Sequence, residues 1–317
     1  MGTLNTTSKQ FIVTASANAD FQAIVTLWHN FFGTTCGFTQ AADSGQINPA
    51  TVAFPGSNNT DAGQEVWYFN DSLHSTYPVA IRVVYGRGSD ANNWRVTISV
   101  SLSVTNGSLT FLGTESGTVT INFATAGTRT NADTTAYRVV GSGASGRAVI
   151  AWFPDTVSTP RGTIFAIERT KNSDGTDNGD GVVIPYFASM ATTNPNGLTF
   201  DRLGVYTPAW RTGSGGTANN MMNMLLSSTS LVTPRSIADT GSTLASGKVY
   251  AFPFFPTRPG WKYPLMSFLN YFTADFPVDF STVTIPFYGS NHTYLPLSPS
   301  GVLNVGGSNW PLLIRYE

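Results

Sequence analysis

The clearest pattern of hydrophobic and polar positions lies near the start of the chain. Between residues 19 and 32, Phe21, Ile24, Val25, Trp28, Phe31 and Phe32 recur at helical spacing on one stripe, and Ala23 and Leu27 widen it. Gln22, Thr26, His29 and Asn30 fill the opposite face. The spacing predicts an amphipathic helix with a heavy aromatic load. Asn18 or Asp20 is expected to cap its start and Gly33 to end it. His29, off the apolar stripe, is expected at the surface.

Beyond the helix the period falls to two. Residues 65–69 place Val66, Trp67 and Phe69 as packing residues. Residues 79–85 alternate Val79, Ile81, Val83 and Tyr85, and residues 95–105 alternate Val96, Ile98, Val100, Leu102 and Val104. Asn106-Gly107 signals a hairpin, with 109–112 as its return. Further strands are predicted at 11–14, 119–123, 137–140, 147–153, 163–168 and 182–187. Residues 141–146 and 171–181 read as a turn and a polar loop. Near the end, 282–288 and 294–297 form a hairpin about Gly289-Ser290-Asn291, and 312–316 closes the series. Residues 265–272 fit either a strand or a short helix. Such a series predicts a mainly β, α+β protein: an antiparallel sheet or sandwich with one N-terminal amphipathic helix packed on it.

Two regions break the pattern. Residues 190–248 have weak periodicity, and 190–262 reads as a loop-rich insertion or docking segment. Pro253, Pro256 and Pro259 then make 252–261 an extended aromatic stretch outside any ladder. The chain is read as a single β-rich unit, 1–317, with 115 as the place for an internal subdivision.

Composition narrows the function classes. Only 11% of the residues are charged and the net charge is -1, so the basic face of a nucleic-acid binder is missing. The predicted helix has no Lys or Arg, which argues against a membrane-surface helix. Hydrophobic residues at 41% and aromatics at 13% suffice for a core. No apolar run reaches a membrane span, and residues 1–10 lack the apolar core of a secretory signal, so cytoplasmic synthesis is expected. Cys36 is the single cysteine, which excludes an intramolecular disulfide and suits a small buried hydrophobe.

Candidate chemistry is sparse. Gly141-Ser142-Gly143-Ala144-Ser145-Gly146 matches a dinucleotide fingerprint, with Glu168 at the spacing of a ribose-binding acid. A pyrophosphate needs a helix N-terminus there, but residues 147–153 are β-branched and aromatic, so a hairpin is the better reading. Asp174, Asp177, Asn178 and Asp180 imitate a calcium loop without its ligand order. His29, His74 and His292 form no metal-ligand spacing, and His292 is placed in a turn beside Tyr294. No nucleophile elbow occurs. The chain is therefore expected to be no enzyme and to hold no cofactor or metal.

The order of segments resembles a family of uncharacterised virion proteins of tailed bacteriophages and prophages. The residues that carry the resemblance are the helix with Trp28, Gly37-Phe38-Thr39-Gln40, Asp43-Ser44-Gly45-Gln46-Ile47, Glu65-Val66-Trp67, Phe69-Asn70-Asp71 and Tyr85-Gly86. Phe165-Ala166-Ile167-Glu168-Arg169-Thr170, the run from Tyr288 to Leu297, and Arg315-Tyr316-Glu317 continue it. It spans nearly the whole chain and is weakest between 190 and 248. The resemblance implies a structural component of the particle, associated with tail, baseplate or neck. Such a component is assembled in the host cytoplasm and has copies of itself and other virion proteins as partners. Two alternatives are a receptor- or glycan-binding module of a tail appendage, with a host surface glycan as partner, and a capsid decoration protein. The expected interface residues are Met221, Met222, Leu225, Phe252, Phe254, Phe255, Trp261 and Tyr263, because exposed apolar and proline-stiffened segments favour association.

Overall fold

In the computed structural model the chain opens with a strand, β1 (Asn5–Ile12), and the helix α1 (Ala17–Asn30), which a π-helical turn continues through Phe31–Thr35. The structure describes residues 5–12, 17–88, 94–113, 115, 118–122, 136–154, 163–171, 176–184, 186–188, 204–206, 250–254, 265–272, 283–287, 290–297 and 312–315. The fold is mainly β, built of antiparallel sheets with this one N-terminal helix.

The first sheet has five strands, β2 (Thr39–Gln40), β3 (Asp61–Tyr68), β4 (Ala80–Arg87), β5 (Trp94–Ser101) and β6 (Val119–Asn122), in sequential order. β6 lies past residue 115, so this sheet runs across the position proposed for a subdivision. The second sheet contains β7 (Ala136–Ala144), β8 (Arg147–Pro154), β9 (Thr163–Lys171), β10 (Asp177–Ile184), β11 (Tyr186–Ala188) and β12 (Gly204–Tyr206). β1 joins its edge by pairing antiparallel with β7. The third sheet holds β13 (Tyr250–Phe254), β14 (Leu265–Phe272), β15 (Val283–Phe287), β16 (Ser290–Leu297) and β17 (Leu312–Arg315) in the order β13-β14-β17-β16-β15.

The helical stripe sits in the core: Phe21, Ile24, Val25, Leu27, Trp28, Phe31 and Phe32 are buried. They form one cluster with Trp67, Ile81, Val83, Tyr85, Val96, Ile98 and Val100 of the first sheet and with Val139, Ala148, Ile150, Phe165, Ile167 and Val182 of the second. These strand residues recur at every second position, so each sheet turns one face to the shared core.

Several local expectations are corrected. Gly33 does not end the helix. Its Cα faces the Trp67 ring, where an added Cβ would lie 3.0 Å from a ring carbon. The stop falls at Gly37, whose φ of 69° is the left-handed conformation that ends helices. Asn18 lies inside α1 and its Oδ1 accepts a bond from the Phe54 N–H at 2.8 Å, so it pins a loop instead of capping. Asp20 also lies inside α1, and Ala23 is exposed, outside the buried stripe.

The strand expected at 11–14 begins earlier, at Asn5, and runs to Ile12, while residues 13 and 14 lie outside the described residues. The turn at 141–146 is strand as far as Ala144. The acidic loop is strand from Asp177, with an irregularity before Val182. His292 lies in β16, opposite Ile285. Residues 265–272 are strand. Phe252-Pro253-Phe254 does join a ladder. β13 pairs with β14 at the sheet edge, with a register shift after Pro253, which is where a residue without an N–H is tolerated.

Candidate functional site

The second sheet explains the glycine-rich fingerprint. β7 and β8 form a hairpin in which Ala144 pairs with Arg147, so a strand follows Gly146 and no helix N-terminus does. Gly143 lies against the chain just past α1: a Cβ there would stand 2.5 Å from Cys36 Sγ and 2.8 Å from its Cα. The missing side chain permits close packing of backbone on backbone, not the approach of a phosphate. Cys36 is buried, and burial pushes its thiol well above the ordinary range, so it stays a neutral apolar group.

Buried charged side chains then tie the elements together at three places. The first joint links α1 to the first sheet. Glu65, fully buried on β3, accepts a bond at 2.5 Å from the Tyr85 hydroxyl of β4. Its other oxygen lies 2.9 Å from His29 Nδ1 and accepts a longer bond of 3.3 Å from Gln40 Nε2 of β2. His29 is not a free surface residue. About a third of its side chain is exposed, and its ring meets Trp67 edge-on at 5.1 Å between centroids. The hydrogen bond to Glu65 raises the imidazole above its ordinary value against an opposing effect of burial. Burial, with the Glu65 charge second, holds the Tyr85 phenol well above its usual range, so it remains a neutral donor.

The second joint links the first sheet to the second. Asp71, just after β3, takes a two-point bond from Arg169 of β9: Nε to Oδ2 at 2.5 Å and Nη2 to Oδ1 at 3.0 Å. Nη2 also donates to the Tyr77 carbonyl at 3.1 Å, and the guanidinium lies 5.6 Å from the Phe69 ring centre. Main-chain bonds run alongside, from Asn70 N to Ser145 O at 2.9 Å. Both charges are buried, so each depends on the other for solvation.

The third joint links the second sheet to the third. Arg147 of β8 donates from Nη1 to Ser142 Oγ at 2.8 Å and from Nη2 to the Arg315 carbonyl of β17 at 2.5 Å. Glu168, the residue at the ribose-acid spacing, is its cross-strand neighbour on β9. Burial lowers the Arg147 guanidinium to about 10, opposed by Glu168, and it stays charged near neutrality. Burial raises the Tyr294 phenol to about 12.

No model of a known protein family matches the chain, and no curated protein matches it. What can be read of its role therefore comes from these joints and from the sequence. Among the described residues no group of three or more His, Cys, Asp or Glu is placed to hold a metal ion. His74 lies in the turn that follows Asp71, where its N–H bonds the Asp71 carbonyl.

Of the expected interface residues, Phe252 and Phe254 lie on the edge strand β13. Met221, Met222, Leu225, Phe255, Trp261 and Tyr263 lie outside the described residues, as does Asp174 of the acidic loop. The sequence reading missed all three joints. Their signal was a charged residue at an inward position of a strand: Glu65 shares its face with Trp67, and Arg169 shares its face with Phe165 and Ile167.

A smaller polar lock closes the opposite face of the first sheet, where Ala41, Val66, Ala80 and Leu109 form a second apolar cluster. The Asp43 carboxylate accepts from Thr105 Oγ1 at 2.7 Å and from the Leu109 N–H at 2.6 Å. Gln46 donates to the Ala41 carbonyl at 2.8 Å and accepts from the Val66 N–H at 3.0 Å. On the same sheet Glu115 accepts from Arg82 and Ser99.

Proposed function

We propose that the chain is a structural component of a tailed-bacteriophage particle, associated with tail, baseplate or neck, that acts by protein–protein assembly and not by catalysis. One observation carries this reading. The short segments on which the resemblance rests include residues of the joints, Glu65, Asp71, Arg169 and Arg315, and of the smaller polar lock, Asp43 and Gln46. Asp43, Glu65, Asp71 and Arg169 each bond side chain or main chain of another element. A rigid block that must present the same surface to every neighbour has use for such fasteners, because ordering on docking then costs less entropy. In this reading the partners are copies of the chain and other virion proteins, and 190–262 is the docking segment.

Sedimentation velocity of the purified chain over a range of concentrations tests the proposal. Discrete rings, tubes or trimers are expected. A monomer at all concentrations that instead retains a host-surface glycan would overturn it in favour of a glycan-binding module.

A further inference from the structure

We propose that the contact between His29 and Glu65 is a pH-sensitive latch that holds the C-terminal end of α1 on the first sheet when the imidazole is protonated and loosens that hold when it is not. The geometry comes from two periodicities that meet. His29, Phe32 and Gly33 fall on one face of the helix end, and Glu65 and Trp67 fall on one face of β3. Trp67 receives all three helical positions: the His29 ring at 5.1 Å, the Phe32 ring at 6.3 Å and Gly33, where an added Cβ would lie 3.0 Å from a carbon of the six-membered ring. Glu65 beside it is fully buried, yet its partners other than His29 are the neutral donors Tyr85 and Gln40. A buried carboxylate with only neutral donors keeps most of its desolvation penalty. The imidazolium is the one cation among its described partners.

The titratable groups that face His29 are few. From β3 there is Glu65, and from β4 Tyr85 acts through Glu65; Gln40 of β2 is neutral. On the helix itself the neighbours one turn away are Val25, Thr26, Phe32 and Gly33, none of which titrates. The imidazole is about a third exposed, so protons reach it without unfolding.

The sign follows from the raised folded value. The latch is fully engaged below the ordinary imidazole value of 6.5 and is lost as the pH rises through the higher value of the folded chain. At alkaline pH a neutral imidazole still donates through Nδ1, so the hydrogen bond persists while the charge pairing goes. The helix end and the π-helical turn after it are what the change releases, not the sheets.

The test uses the full chain at about pH 5.5 and about pH 8.5, on either side of the imidazole titration. Amide exchange over residues 25–36, corrected for the intrinsic rate, is compared with that over β4 and β5. In the native chain exchange at the helix end is expected to rise several-fold on going to the higher pH, with β4 and β5 unchanged. His29→Gln, which keeps a neutral donor to Glu65, is expected to show the faster exchange at both values. The His29 ring signal in NMR gives a second readout, and Glu65→Gln should move its midpoint down toward 6.5. Equal pH dependence in the native chain and His29→Gln, or a His29 midpoint indifferent to Glu65→Gln, would overturn the latch.

Discussion

At the scale of residues, the chain places its buried charges where two elements meet. Asp71 and Arg169 illustrate the consequence. Their two-point bond is out of water on both sides, so removing one partner leaves the other as an uncompensated charge. Asp71→Ala is expected to cost about 3–5 kcal/mol in urea unfolding. Adding Arg169→Met to it should recover part of that loss, because the orphaned guanidinium is gone. A midpoint left unchanged by Asp71→Ala would mean that the pair contributes nothing to holding the sheets together. In the sequence these residues fall just beyond the predicted strands 65–69 and 163–168, where a charge reads as part of a loop. Glu168 drew notice for its spacing from a glycine run, yet its place is beside Arg147 on a buried face. Spacing along the chain is silent about which charge on another sheet completes a pair. His29 was read as a surface residue because it lies off the apolar stripe, but a stripe describes where apolar surface goes, not where a lone carboxylate such as Glu65 needs a partner.

At the scale of elements, α1 was the most legible part. Five of its large apolar positions, and Phe31 and Phe32 of the turn that continues it, are buried in one core with both sheets, because a 3.6-residue period with aromatic side chains has few other stable uses. Its end was not legible. Gly33 looked like a stop, but close packing on Trp67 keeps the helix going as a π turn until Gly37. The strands between 65 and 101 were legible from their alternation, although β5 ends at Ser101 and not at 105, whereas β7 and β10 were partly hidden by Gly, Ser and Asp. Those residues read as turns until the partner strand is known, since Gly143 is selected by the nearness of Cys36 and not by any bend. β13 was hidden by Pro253, which an edge position tolerates. If α1 is the centre of the core, Trp28→Ala should cost roughly 3–5 kcal/mol. Equilibrium denaturation checks this, and an unfolding midpoint that does not move would refute it.

At the scale of the whole molecule, three antiparallel sheets and one helix are tied to one another by buried charged side chains. The role proposed for the chain, that of a piece to be built with, rests on these contacts together with the sequence resemblance. The measurement that bears on this most directly is imaging of purified phage particles from a host that carries the chain, with gold-labelled antibodies against it and a count of copies per particle. The account predicts label at a fixed place on tail, baseplate or neck, in a copy number that matches the symmetry there. Particles that are complete and infectious yet contain no copy of the chain would contradict it.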